Sequence, residues 1–507
     1  MNSHPSLGRI NSMDQFRGFT VLSMFIVNFM HMDTVNPFWK HNDNYVTFAD
    51  WIMPGFIFAV GFSYRLTILK RLEKMSSWAT YFTYFRRSLA LILVSLMIYG
   101  VGGSFATWDS FSADATIKVP GADGKLADGS VNATVHWLMK LFKSNLWEVL
   151  AIIGVAQIFV MPVIARSFLL RFFTILSCLV GHVLISGWFN WGFVHGDESN
   201  WMVQLWRTGN NRSWDGGFFG IISWSVAMLA GSLVYDILAT NSRAKACGKI
   251  FLFAVVLMLI GYVLSCGTRL YDMPLKAPTI EKTEGMSETE YQAAKEAAQK
   301  KRGKLAKNPM WPDFSKAKGR NWRDLLAEPP FVMPPHPDQQ SYIEAANRVE
   351  VLKVEVEAER KAAAEKAATA ASKDNKKSTN EQELEKLQTK LLGVPMYNHA
   401  RQWNYWMMYK RMVSVPFILF ATGLAIAFYA IFIFLSDLGS LRVGVFRTFG
   451  TNPLAAYVLH DMIGHSMHAF APNNAPALYC WFITSIFIFI TYVFVRHLEK
   501  HKIFVRL

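Results

Sequence analysis

The sequence predicts an all-α fold: a polytopic membrane helix bundle of about ten transmembrane helices, carrying a helical insert outside the bilayer. Three observations lead there. The chain is 52% hydrophobic and only 18% charged, with 39 Phe and 17 Trp in 507 residues, the balance of a protein solvated largely by lipid. About ten apolar runs reach the ~20 residues that a bilayer core requires. Residues 269–410 are a different material, rich in Ala, Glu and Lys, and they dilute the mean hydropathy to +0.19.

The runs in order are 16–33, 47–66, 88–106, 146–166, 168–188, 217–238, 249–268, 412–436, 448–468 and 475–496. Short loops rich in Lys and Arg stay on the cytoplasmic side. Arg9, Arg65–Arg87, Arg166–Arg171, Arg243–Lys249, Arg442–Arg447 and Arg496–Arg506 fall in alternate loops. Both termini are therefore expected in the cytoplasm, with a bacterial inner membrane as the expected location. The formal charge of +15 then serves as an anchor on an anionic leaflet, and no nucleic-acid partner is expected. The first residues lack an apolar stretch with a cleavage site, so the first run is expected to act as the insertion signal. Cys178, Cys247, Cys266 and Cys480 lie far apart with no CxxC, which gives neither a disulfide framework nor a zinc motif.

This pattern divides the chain into a membrane core at 1–268, an extracytoplasmic polar insert at 269–410 and a second part of the core at 411–507. Within the insert, 287–305 and 341–391 consist of strong helix formers. Val349, Leu352 and Val356 recur there at helical spacing. The competing reading is a solvated linker, and the Pro-rich stretch at 328–338 interrupts either one. A homodimer is compatible with the sequence.

The candidate chemistry gathers in residues 12–62. Asp14 and Arg17 open the first run, Asn28 and His31 lie near its far end, His41 sits in the following loop, and Asp50 opens the second run. Polar groups at membrane depth mark pathways or reacting centres. Arg17 beside Asp14 would receive an anionic cofactor, because a guanidinium fork suits phosphate; the plainer reading is an interfacial anchor. His41 suits proton transfer near neutral pH, with a nearby carboxylate to fix its tautomer; otherwise it is an ordinary loop histidine. The Asn28 amide would orient a carbonyl or an oxyanion, or else bond between helices. Glu148, opening the fourth run, and Gln157 within it are candidate substrate contacts, although Glu148 also suits a helix start. Asn452 opens the ninth run from the cytoplasmic end and joins Asp14 and Arg17 as a cofactor candidate. His460, Asp461, His465 and His468 end that run without an HExxH, and no metal is expected. Trp191, Trp201, Trp206 and Trp214 form an outer aromatic belt or a stacking surface for sugar faces. No GxGxxG, Walker loop or GxSxG occurs, so no soluble nucleotide fold is implied.

These residues carry a resemblance. MDQFRGFTVLSMFIVNF followed by WKHNDNYVTFADWIMPGFIFAVG is similar to the opening of the heparan-α-glucosaminide N-acetyltransferase family, at Asp14, Phe16, Arg17, Gly18, Asn28, His41, Ala49, Asp50, Pro54, Phe58 and Gly61. Weaker likeness continues through GVAQ, GFFG, LAG and TNPLAAYVLH, over roughly 9–268 and 411–495. The chain departs from the family pattern at Ile158, where Arg is usual, and at Met412-Val413 in place of Trp-Thr. The resemblance implies a membrane acetyltransferase that takes acetyl-CoA from the cytoplasm and acetylates an amino sugar or other glycan acceptor on the far side. It implies His41 as base or acetyl carrier, supported by Asn28 and Asp50. The rival classes are a transporter or flippase for a glycan or lipid-linked precursor, and a scaffold whose work belongs to the insert.

Overall fold

A computed structural model describes residues 10–505, apart from 31, 33, 44, 101–104, 121–125, 210, 272–305, 307, 313, 315–325, 327–347, 350, 363–377 and 392–401. His31 and most of the insert lie outside the described residues. The chain forms two units: Met1–Ser265 with Pro330–Val332 and Tyr405–Leu507, and Cys266–Pro329 with Met333–Asn404.

The first unit begins with α1 (Asn11–Phe29), α2 (Ile52–Leu72), α3 (Ser77–Tyr99), α4 (Trp108–Ser112), β1 (Asp114–Pro120), β2 (Leu126–Asn132) and α5 (Ala133–Lys140). It continues with α6 (Val149–Ile164), α7 (Phe168–Ile185), α8 (Trp191–His195), α9 (Trp201–Trp206), α10 (Gly217–Thr240) and α11 (Arg243–Ser265). After the second unit come α12 (Val415–Phe432), α13 (Gly444–Thr451), α14 (Pro453–His468) and α15 (Ala477–Lys500).

Among the described residues, seven helices are long and apolar enough to cross a membrane: α2, α3, α7, α10, α11, α12 and α15, three of them with short continuations. An eighth span results if Ala133–Asn145 and Val149–Ile164 are taken together, bent by 87°. The first and ninth runs are helical but fall short of that standard. α1 carries Asp14, Gln15, Arg17 and Asn28. The ninth run breaks at Asn452, because Pro453 lacks the N–H that would continue a helix and instead starts α14.

Burial sorts the helices into two layers. α10 has 83% of its most apolar stretch buried, and α2 and α12 each have 67%, whereas α3 has 17%. α3, α7, α11 and α15 are therefore the outer layer, and their large apolar side chains point away from the protein, Met97, Leu184 and Phe489 among them. The inner layer is close-packed through small residues. A Cβ at Gly61 would overlap the carbonyl of Met228, and one at Gly231 would overlap the carbonyl of Phe58, so α2 and α10 meet backbone to backbone. Gly18 meets the carbonyl of Phe446 and Gly450 that of Asp14 in the same way, joining α1 to α13. Phe16 fills the centre, edge-on to Phe58, Tyr429 and Phe432 at 5.7–6.0 Å.

The two ends of the bundle differ in chemistry. At the end where α1 starts, Asp236 accepts from Arg65 at 3.1 Å and from Arg171. The chain's C-terminal segment returns to this end, because Asn452 holds Ile503 and Val505. The opposite end carries the loops that build the site.

Not every element is helical. The segment between α4 and α5 is an antiparallel hairpin, with Asp114 opposite Asn132 and Pro120 opposite Leu126. This corrects the all-α expectation for the 107–145 loop. The alternation in ATIKV and the DG pair in GADGK are a hairpin pattern.

In the second unit, Ala306 N–H donates to the Trp403 carbonyl at 2.8 Å, and the Asn404 amide donates to Thr268 Oγ1 at 2.8 Å. A helix at 351–362 faces Thr379–Leu391. Arg360 pairs with Glu381 at 2.7 Å and Arg348 with Glu383 at 3.1 Å. Val349, Leu352 and Val356 are buried, as their spacing requires.

Candidate active site

His41 occupies a short loop that its own sequence folds. Asn36 Oδ1 accepts from Phe38 N–H at 2.9 Å and starts a single 3-10 turn, Pro37–Trp39. Phe48 N–H then donates to the Phe38 carbonyl at 3.0 Å, closing the loop. Trp39 packs on Phe48 at 4.8 Å and on Trp481 at 5.1 Å, seating the loop on α15. His41 projects from this seat with its side chain 45% exposed.

Asp50 lies below it, fully buried, two residues before α2. Its Oδ2 accepts three donors: Thr47 Oγ1 at 2.8 Å, Thr47 N–H at 3.1 Å and Asn42 N–H at 3.3 Å. A group that accepts from so many donors is a carboxylate. Its Oδ1, 2.8 Å from His41 Nδ1, must therefore accept Nδ1–H. That fixes the imidazole tautomer and leaves Nε2 as the side that takes a proton.

Two groups from distant parts of the chain join the pair. Lys410 Nζ stands 3.2 Å from His41 Nδ1 and 3.4 Å from Nε2. Arg411 pairs with Asp43 at 3.4 Å and lies 4.0 Å over the ring of Trp214. Asp215 completes the charged group. Desolvation by burial raises its carboxyl above the ordinary carboxylate range; Lys410 and His41 oppose the shift, and Asp43 and Asp50 add to it. Glu148 interacts electrostatically with Asp215, Lys410 and Asp461. It stands at the bend before α6 without capping that helix through its side chain.

Asn28 makes its hydrogen bond to a different helix. Its amide lies 3.3 Å from His460 Nε2 on α14, and its hydrogen bond is made there and not to His41. His460 Nδ1 bonds the Tyr457 carbonyl, and the Tyr457 hydroxyl meets Tyr99 at 2.6 Å. A polar chain thus runs across the bundle from α1 through α14 to α3. His468 stacks on Phe29 at 4.6 Å. Gln157 accepts from Ser88 at 3.0 Å, a tie between α6 and α3. Trp191 is buried against His195 and is not part of an exposed belt.

Asp14, Arg17 and Asn452 gather at the other end. Arg17 pairs with Asp14 one turn away, and Arg17 Nε is buried without an acceptor among the described residues. Both side-chain atoms of Asn452 are engaged by the C-terminal segment, at 3.0 Å and 3.1 Å.

The fold and this site define a predominantly helical membrane protein with a histidine–carboxylate pair at one end of its bundle. No family model matches the chain, and no curated protein matches it.

Proposed function

We propose that the protein is an integral membrane acetyltransferase, moving acetyl from cytoplasmic acetyl-CoA to an amino sugar or other glycan acceptor on the extracytoplasmic face. The observation that carries this reading is the His41–Asp50 pair, oriented with Nε2 free of carboxylate and half open to solvent. A histidine held in one tautomer by a buried carboxylate is the arrangement of a general base or nucleophile. The resemblance of residues 12–62 to the heparan-α-glucosaminide N-acetyltransferase family supports the same residues.

Ten crossings follow if α1, the bent α6 pair and α13–α14 each span as well. Both described ends of the chain then lie on one side, with the Arg-rich end in the cytoplasm. The CoA phosphates would meet Arg17, whose buried Nε lacks an acceptor among the described residues, and the thioester would approach His41 from within the bundle. Nε2 takes the proton of the attacking amine or hydroxyl, Asp50 stabilises the imidazolium, and the proton is returned to the departing thiolate.

The polar chain Asn28–His460–Tyr457–Tyr99, buried in its middle and half-buried at its ends, favours a second reading, a transporter or flippase with a polar path through the bundle. One variant separates the two. His41→Ala in the full-length protein is expected to lose about 10²–10⁴-fold in acetyl transfer while still binding acetyl-CoA. His41→Asn should fail equally, because an amide takes no proton at neutral pH. Retention of transfer within about threefold, far below the general-base range, would remove His41 from the chemistry. A transporter shows no such separation of binding from turnover.

A further inference from the structure

We propose that Lys410 is a catalytic cation of this site, its ammonium facing the oxyanion that forms on the acyl carbonyl beside His41. The inference rests on His41 acting as the base. The group is placed by geometry. Lys410 Nζ is 3.4 Å from His41 Nε2 and 3.2 Å from Nδ1. Nδ1–H is already directed to Asp50, and near-equal distances to both ring nitrogens set the ammonium over the imidazole and off the line of the Nε2 lone pair, which stays open to a proton. Among the described residues Lys410 makes no ion pair with a carboxylate; its nearest polar neighbours are the imidazole nitrogens. Its charge also acts on the carboxyls of Asp215 and Glu148 without closing an ion pair with either.

The segment that carries Lys410 is unusually constrained. Val413 holds φ +50°, a left-handed backbone that costs a β-branched residue energy and persists only where the surroundings impose it. Three ties impose it. Gly216 N–H donates to the Arg411 carbonyl at 2.7 Å, and Ser223 Oγ donates to the Val413 carbonyl at 2.7 Å. His195 Nδ1–H donates to the Trp191 carbonyl, so its Nε2 accepts the Tyr409 hydroxyl at 2.7 Å. Arg411, through Asp43, then ties the platform to the His41 loop itself. Strain and rigid support concentrated behind one side chain are what a fixed electrostatic contact requires.

The chemistry supplies the role. The acceptor nitrogen or oxygen bonds to the thioester carbonyl carbon, and its proton passes to His41 Nε2. The carbonyl π pair moves onto oxygen. At that moment an imidazolium stands beside the Lys410 ammonium, and the two repel. The oxyanion is the charge formed in the same step that compensates both. When the tetrahedral adduct collapses, the pair returns to carbonyl, the C–S bond breaks, and the thiolate leaves with the proton from Nε2. The products are the acetylated acceptor and the free thiol, and Lys410 ends as it began.

The test uses the full-length protein in detergent, with acetyl-CoA as donor and glucosamine as probe acceptor. Lys410→Met is expected to lower kcat by about 10²–10³-fold, the cost of one oxyanion donor, with KM for acetyl-CoA nearly unchanged. Lys410→Arg, which keeps the charge, is expected to recover most of the loss. A structural tie would not give this split: its loss would lower the melting temperature and raise KM. Lys410→Met with wild-type kcat, beside an inactive His41→Ala, overturns the role of Lys410 and leaves the base intact. An active His41→Ala overturns the base and this proposal with it. If Lys410→Met does not melt cooperatively, Lys410→Gln is judged by the same criteria.

Discussion

At the scale of single residues, the site depends on which atoms of Asp50 accept. Oδ2 receives two N–H groups and a hydroxyl while Oδ1 receives His41. Asp50→Asn cannot satisfy both sides. With its NH₂ toward Thr47, a donor faces donors; with its NH₂ toward His41, the imidazole is forced into the other tautomer. Transfer is expected to fall by about 10³–10⁴-fold, on the scale of the corresponding change in Ser-His-Asp enzymes. Activity near wild type in an initial-rate assay would show that the tautomer is not fixed by Asp50. Asp215 behaves differently. Its folded carboxyl is raised above the ordinary value, first by desolvation, so the folded state holds a proton that the unfolded state gives up. Its contribution to stability is then fully present below the ordinary carboxylate range, ~3.9, and is lost as pH rises through the raised value. Asn accepts the left-handed backbone at this position, φ +48°, and carries no titrating group. The melting temperature of Asp215→Asn relative to wild type is expected to rise steadily from about pH 4 upward. A constant offset across that range would contradict the assigned shift.

At the scale of elements, the inner helices are held by backbone approach, and a single methyl tests this. Gly61→Ala puts a Cβ into the Met228 carbonyl, a rigid neighbour that cannot rotate away. α2 and α10 must separate, at a cost of at least about 1–3 kcal/mol. Gly248→Ala on α11 is the control: nothing lies within 4 Å of its Cβ position, and alanine favours the helix by about 1 kcal/mol. Thermal melts in detergent should move in opposite directions; equal shifts would deny the close contact. The sequence announced these elements unevenly. Long apolar runs between basic loops gave seven helices directly, because length and hydropathy are local properties. α1 was legible through its Asp14-Phe16-Arg17-Gly18 start, yet Gly18 proves to be a packing position against Phe446, a partner no local pattern reveals. The β1–β2 hairpin lies in a loop between strong helical signals, which outweigh the short alternation and the DG pair that encode it in the sequence.

For the whole molecule, the site is assembled from segments that the chain keeps far apart. His41 and Asp50 are nine residues apart and were readable as a pair. Lys410 is 369 residues from His41, and Asn28 finds His460 across 432; such meetings follow from the packing of the bundle and not from any motif. What the sequence predicts for the whole is direction. Asp14 and Arg17 start α1 at one end and Asn28 lies near the other, about 16–21 Å along the axis at 1.5 Å per residue, so donor and acceptor are offered opposite faces only if the bundle crosses the membrane in the sense of its basic loops. That sense is measurable with two introduced cysteines. Glu73 lies just after α2, beside Lys70 and Arg71, and Ala127 is exposed on β2. Three native cysteines are buried and Cys247 is half-buried, so Cys247 is replaced first. Ala127→Cys is expected to react with an impermeant maleimide in intact cells, and Glu73→Cys only after permeabilisation. The reverse pattern would place His41 in the cytoplasm beside acetyl-CoA, and transfer across the membrane would have to be abandoned even if His41 remained the base.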